Sequence, residues 1–209
     1  MNALLRDSVG RFQLQLTSIV SVNFLARCHT MRDQIKAEVA SISPLDQAEA
    51  ATQLDVLSWI DSGAELCRLS KPAVQPKHLV SYFAVVDGDH LLLVDHLNAQ
   101  LWLPSGGHVE SGEHPRATAV REAKEELSID AEFLSERPML LTSTTTVGAT
   151  AGHTDVSFWY VLKGDRNRPI EFDRTEFLTV RWFHKDDVPM HRTHPEMERF
   201  LAKLYPFAV

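Results

Sequence analysis

The chain has 209 residues, 44% hydrophobic and 23% charged, a composition that supports one or two globular domains with a sizeable core and carries no signature of disorder. Its formal net charge of −7 argues against a nucleic-acid partner, because phosphate contacts need a basic patch and none is visible. Two cysteines, Cys28 and Cys67, are too few for a disulfide framework and lack metal-ligand spacing, so buried free thiols in a reducing cytoplasm are the expectation.

Residues 12–26 are apolar enough to suggest a signal or anchor, but Gln13, Gln15, Ser18, Ser21 and Asn23 interrupt them. They fall short of the roughly 20 apolar residues that a spanning helix needs, so no membrane partner is expected. Residues 1–30 are either an upstream start or a packed extra element. From Met31 to about Leu69 the pattern predicts two helices, the second capped by Ser43 with Pro44 in its first turn and stopped by Gly63 after Ile60. Leu45, Ala48, Leu54, Leu57 and Ile60 form its apolar stripe, suited to the domain that follows or to a partner subunit in a homodimer. Residues 71–76 read as a linker, dividing a helical extension (1–76) from a second domain (77–209).

Beyond the linker the period turns to strands. His78–Val86 and His90–His96 flank Asp87-Gly88-Asp89, a hairpin signal. Leu101–Pro104 leads into a loop containing Gly107, Glu113 and the Ser111-Gly112 pair, and Pro115 then suits the first turn of a helix from about His114 to Leu127. Strands follow at Pro138–Val147, Thr154–Leu162 and Phe177–Phe183, and a helix at Met190–Tyr205 closes the chain.

On the middle helix, Glu122, Glu125 and Glu126 fall within an arc of about 100°, with Val120, Ala123 and Leu127 on the opposite side. Carboxylates spaced i, i+3 and i+4 repel one another, and a bound hard cation removes that penalty. With neither Cys nor His in the set, all-oxygen coordination of Mg²⁺, or of Mn²⁺, is the matching chemistry. Taken without its upstream partners, the same cluster equally describes a solvated Glu/Lys helix face.

With Gly107, Glu113, Arg121, Glu122, Glu125, Glu126 and Ile129 at these spacings, the segment resembles the box of the Nudix hydrolase family, G-x5-E-x7-R-E-U-x-E-E-x-G-U. Ser128 departs from it, standing where the family has a glycine that ends the helix in a left-handed conformation. The resemblance covers about residues 77–207. It implies an α/β/α sandwich with a mixed β-sheet, here preceded by a small helical region, and a metal-dependent hydrolase of nucleoside diphosphates linked to a further moiety. It further implies that Glu125, Glu126 and the Gly107 carbonyl ligate metal, that Glu122 is a ligand or the general base, that Arg121 orients the glutamates and that Glu113 supports the box.

Substrate choice is less constrained. Glu176 is a candidate for an additional acid, against its reading as a surface glutamate. Phe83, Trp102 and Trp159 are candidates to stack on a base, against ordinary core roles, and His153 with Asp155 could contact the leaving group. His191 and His194 read as a surface pair, since no third ligand is apparent. Thr145 and Val147 occupy the places where relatives specific for ADP-ribose or dinucleoside polyphosphates carry a proline or a tyrosine. A MutT-like nucleoside triphosphate pyrophosphatase therefore outranks a nucleotide-sugar or ADP-ribose pyrophosphatase. The rival from another class is a non-catalytic, nucleotide-sensing regulator of the same fold. An isopentenyl-diphosphate isomerase-like enzyme would need a cysteine within the fold, and both cysteines precede residue 77.

Overall fold

Two short helices lead into the sheet. The computed structural model describes residues 30–70, 76–146 and 152–206; the segment 12–26, Cys28, Val147 and most of the predicted linker lie outside them. Helix α1 spans Met31–Ser41 and α2 spans Gln47–Asp61. The cap of α2 is Asp46 rather than Ser43: its carboxylate accepts the Glu49 N–H at 2.8 Å, and Glu49 reaches back to the Leu45 N–H at 2.6 Å. This reciprocal arrangement satisfies amide donors that a helix start leaves unpaired. The predicted stripe is also revised. Leu45 and Leu54 are 50% and 68% exposed, while Val56 and Ile60 are buried together with Glu49. Lys203 forms an ion pair with Glu49, so the helix turns a satisfied charge inward and Leu54 outward, while Leu57 packs half-buried against the core.

Seven strands follow: β1 (Lys77–Asp87), β2 (His90–His96), β3 (Trp102–Leu103), β4 (Ser105–His108), β5 (Leu140–Thr145), β6 (Thr154–Lys163) and β7 (Phe177–His184). They form one sheet in the order β3-β2-β1-β6-β5, with β4 also on β1 and β7 on β2. Strands β1 and β6 run parallel, from Lys77↔Thr154 to Val86↔Lys163, and the remaining pairs are antiparallel. The hairpin forms as expected, with Asp87 opposite His90 and Gly88-Asp89 as its two-residue turn. Strand β1 is buried at almost every position because both faces of the sheet are covered.

One face packs against α3 (Pro115–Leu127) through Ala119, Ala123 and Leu127, in the same core as Ile35, Val39, Val56 and Ile60 of the first two helices. The other packs against α4 (Met197–Leu204) through Met197, Phe200 and Leu204, which meet Ala84, Leu93, Trp159 and Val161. The architecture is an α/β/α sandwich, and from Met31 onward the chain is one compact unit. Two expectations shift. Val120, placed on the core side by its spacing, is 45% exposed, because the i, i+4, i+8 row of Ala119, Ala123 and Leu127 takes the buried stripe. The closing helix starts at Met197 instead of Met190: Pro195 disfavours helical backbone at His194, and Met190–Arg192 forms only a 3₁₀ turn. Among the described residues no helix is long and apolar enough to cross a membrane.

A buried acid ties α1 to the sheet. The Tyr160 hydroxyl donates to Glu38 Oε2 at 2.9 Å, and His114 Nε2 lies 3.5 Å from the same oxygen. Burial pushes the Glu38 carboxyl from 4.5 up to about 7. Below about pH 4.5 Glu38 is protonated in both the folded and the unfolded chain; from there towards pH 7 the unfolded chain ionises first, so stability falls as pH rises. Glu38→Gln keeps an acceptor for Tyr160 and removes the charge. It should raise stability by about 1–2 kcal/mol at pH 8 and change it little near pH 5. Thermal unfolding at the two pH values checks this, and an equal effect at both would contradict a buried, titrating Glu38.

Candidate functional site

The site is assembled where β4 is wedged between β1 and α3. Gly106 pairs with Tyr82 and Gly107 with Ser81. A Cβ on Gly106 would stand 2.1 Å from Ser81 O, and one on Gly107 would stand 2.0 Å from Glu122 Oε1. At Gly106 the obstacle is backbone, so only glycine fits, whereas at Gly107 it is the end of the Glu122 side chain, which a methyl would have to push away from Arg121. Helix α3 starts with His114 as N-cap, its Nδ1 accepting the Arg116 N–H at 3.2 Å, and with Pro115 in the first turn. It ends at Ser128 with φ 54°, left-handed, so the serine takes up the glycine geometry at a cost of about 1–2 kcal/mol. The Ser128 and Ile129 N–H groups both reach Ala123 O.

Arg121 organises the acids. Its Nε and Nη2 bind the two Glu113 oxygens at 3.1 Å each, Nη1 contacts Glu122 Oε1 at 2.8 Å and Glu125 Oε2 at 3.1 Å, and Nη2 also reaches the His108 carbonyl at 3.3 Å. A planar guanidinium with five donors fits such a cluster where an ammonium would not. Against the effect of burial, hydrogen bonds from Arg121 and Thr118 hold Glu113 below the usual carboxylate range. Glu126 is 6% exposed and accepts hydrogen bonds from Ser105 Oγ and, at 3.1 Å, from the Gly106 N–H. Burial pushes its carboxyl up to about 8, with the Ser105 bond opposing and the charges of Glu122 and Glu176 adding to the rise. Glu122 is raised too, first by burial. Glu125, with 60% of its side chain exposed, opens the cluster to solvent.

Three carboxylates thus share one guanidinium, and Glu126 adds a fourth negative group without a cation of its own, an excess of oxygen donors beside the Gly107 backbone. That set fits a hard divalent cation. Glu176 is exposed in the loop before β7, and its charge bears on both Glu122 and Glu126. Phe83 and Trp159, considered for base stacking, are instead core residues, 1% and 0% exposed, and present no free ring face. Trp102 is half-buried against Phe183, their ring centroids 4.9 Å apart. His194, expected at the surface, is 7% exposed and packs edge-on against Trp159; burial pulls it down to about 4. His191 is exposed. His153 and Asp155 do not join the carboxylates: they gather with His78 and His108. Neither of those two histidines stood out from the sequence, although the i, i+2 spacing of His153 and Asp155 already placed two ligand-type side chains on one strand face.

The chain matches the NUDIX domain family over residues 77–204. The crystal structure of a MutT NUDIX hydrolase from Burkholderia pseudomallei is similar with a TM-score of 0.50 and 24% identity, covering 61% of this chain and 98% of that one. The NUDIX domain of Shewanella oneidensis NrtR, solved in complex with ADP ribose, is similar with a TM-score of 0.52 and 15% identity, covering 67% and 94%. At these identities the likeness establishes the fold. No curated protein matches the chain.

Two substitutions test this local construction. Gly107→Ala drives a methyl into the Glu122 carboxylate, which must leave Arg121, and should destabilise the fold by about 1 kcal/mol. Adding Glu122→Ala should recover most of the loss, and no recovery in a double-mutant cycle by chemical denaturation would reject the close approach. Ser128→Gly relieves the left-handed serine and should raise stability by up to about 1 kcal/mol, whereas a lower melting temperature would rule that strain out.

Proposed function

The chain belongs to the Nudix family, hydrolases of phosphoric anhydride bonds, and on that footing we propose that it is a metal-dependent nucleoside triphosphate pyrophosphatase. The observation that carries the reading is the cluster of Glu113, Glu122 and Glu125 around Arg121, with Glu126 held on Ser105 and Gly106 close enough to feel the charge of Glu122. Glu125, Glu126 and the Gly107 carbonyl would hold Mg²⁺, with Mn²⁺ as the substitute of similar chemistry. When bound, the cation neutralises the diphosphate and makes an attacking water more acidic.

The side chains supply the rest. Glu122 is held by Arg121 Nη1 at 2.8 Å, and burial raises its carboxyl, which suits it to take the proton of the water that attacks phosphorus. The anhydride P–O bond breaks as the new one forms, giving a nucleoside monophosphate and pyrophosphate. Arg121 keeps the carboxylates in register, and Glu113 holds Arg121. Glu176 is exposed and its charge bears on Glu122 and Glu126, which supports a role as an auxiliary acid. Trp102 is the half-buried aromatic left for contact with a base.

We take residues 77–209 as the catalytic domain and 1–76 as its extension. The buried free thiol of Cys67 suits the reducing cytoplasm, to which we assign the enzyme.

Release of phosphate or pyrophosphate is measured across nucleoside triphosphates, nucleotide sugars, ADP-ribose and dinucleoside polyphosphates, with Mg²⁺ and with chelator. Metal-dependent turnover of triphosphates is expected, with Glu126→Gln lowering kcat at least about a hundredfold and weakening metal binding, and Glu122→Gln lowering kcat with metal affinity kept. Turnover confined to ADP-ribose or nucleotide sugars would replace the substrate assignment. Tight nucleotide binding without turnover would make the chain a regulator.

A further inference from the structure

The face of the sheet turned away from α3 carries a second group of ligand-type side chains that the hydrolytic chemistry leaves unused. His78 near the start of β1 is the register partner of Asp155 on β6. His153 lies two residues before Asp155, and His108 on β4 pairs with Val80, two residues after His78. Side chains two apart along a strand share a face. Four residues from three remote segments therefore converge, with one ligand atom from each within 4.8 Å of all the others.

The contacts among them lack hydrogen-bond geometry. Asp155 Oδ1 lies 3.1 Å from His78 Nε2 and 3.3 Å from His153 Nε2, yet neither Asp155 Oδ1 nor His78 Nε2 has a hydrogen-bond partner. The His78 and His153 rings stack with centroids 4.7 Å apart, so their nitrogens reach the same carboxylate oxygen side by side, and a bound ion would turn the rings towards a shared centre. Ligands of a tetrahedral zinc ion, bonded at about 2.0–2.2 Å, stand roughly 3.3 Å apart and aim at a shared centre. His78 is also 0% exposed with neither ring nitrogen paired, which is destabilising unless a ligand takes up a lone pair. The His153 ring places Nδ1 at 3.3 Å from Thr146 Oγ1, an outer contact that leaves Nε2 for the cluster.

We propose that His78, His153 and Asp155, with His108 as the fourth member, bind a divalent transition ion of the zinc class. Imidazoles joined by one carboxylate suit such borderline ions, whereas Mg²⁺ takes all-oxygen sites, so this cluster and the glutamates of α3 select different metals. Arg68 Nη1 lies 3.1 Å from His108 Nε2. A guanidinium only donates, so Arg68 holds a lone pair that the ion would claim, and ion binding turns Arg68 aside. The site stands independently of the substrate assignment.

The test uses the full chain, stripped by chelator, supplied with excess Mg²⁺ and titrated with Co²⁺ as a spectroscopic probe. One equivalent of Co²⁺ per chain is expected, with the intense visible absorption of four- or five-coordinate nitrogen and oxygen ligation, displaced by Zn²⁺. Glu126→Gln should leave this binding in place, while His153→Ala and Asp155→Asn should each weaken it at least about tenfold. Both variants sit at the rim, with 17% of each side chain exposed, and circular dichroism verifies their fold. If either misfolds, the wild-type stoichiometry and its survival in Glu126→Gln still decide. Absence of such binding, its loss in Glu126→Gln, or its persistence in both folded rim variants would overturn the proposal and leave Arg68 as the cluster's cation.

Discussion

The close seat of β4 is the constraint on which the site depends. Four residues run between β1 and α3 with no room for a Cβ at Gly106 or Gly107, so the backbone itself becomes a wall of the carboxylate cluster. From there the geometry propagates. Ser105 and the Gly106 amide hold Glu126, Gly107 lies against Glu122, and the His108 carbonyl is gripped by Arg121. Alternation along the same short strand then sends the His108 side chain to the opposite face, among His78, His153 and Asp155.

Electrostatics explains why these groups need one another. Arg121 cannot neutralise four acids, and burial raises Glu122 and Glu126 so that each resists ionising without further positive charge. The helix does not depend on these charges for its seat, since an apolar row anchors it. Arg68 stands between the two groups, feeling both Asp155 and Glu122.

Polar ties orient the first two helices. Glu49 pairs with Lys203, Asp46 with Arg199 at 3.1 Å, and Glu38 with Tyr160, joining elements more than a hundred residues apart. The buried Glu49–Lys203 pair contributes little net stability but penalises any docking that leaves either charge unpaired. The Glu49–Lys203 tie on α4 also helps to set the face of α2 that is buried, leaving Leu54 exposed.

Local spacing determined much of this protein. The longer strands, the Gly88-Asp89 turn, the start of α3 and the arc of Glu122, Glu125 and Glu126 follow from periodicity and backbone chemistry acting over a few residues, and the box pattern carried the family and the fold, whereas β4 read as loop because its glycines carry no alternating pattern. Where long-range partners compete with local preference, only the tertiary structure decided. Asp46 capped α2 in place of Ser43, Glu49 displaced a leucine stripe, and Phe83 and Trp159 went to the core. The gathering of His78, His108, His153 and Asp155 was likewise hidden. It depends on which strands pair and in what register, and strand pairing is set by packing of the whole sheet rather than by any window of the chain.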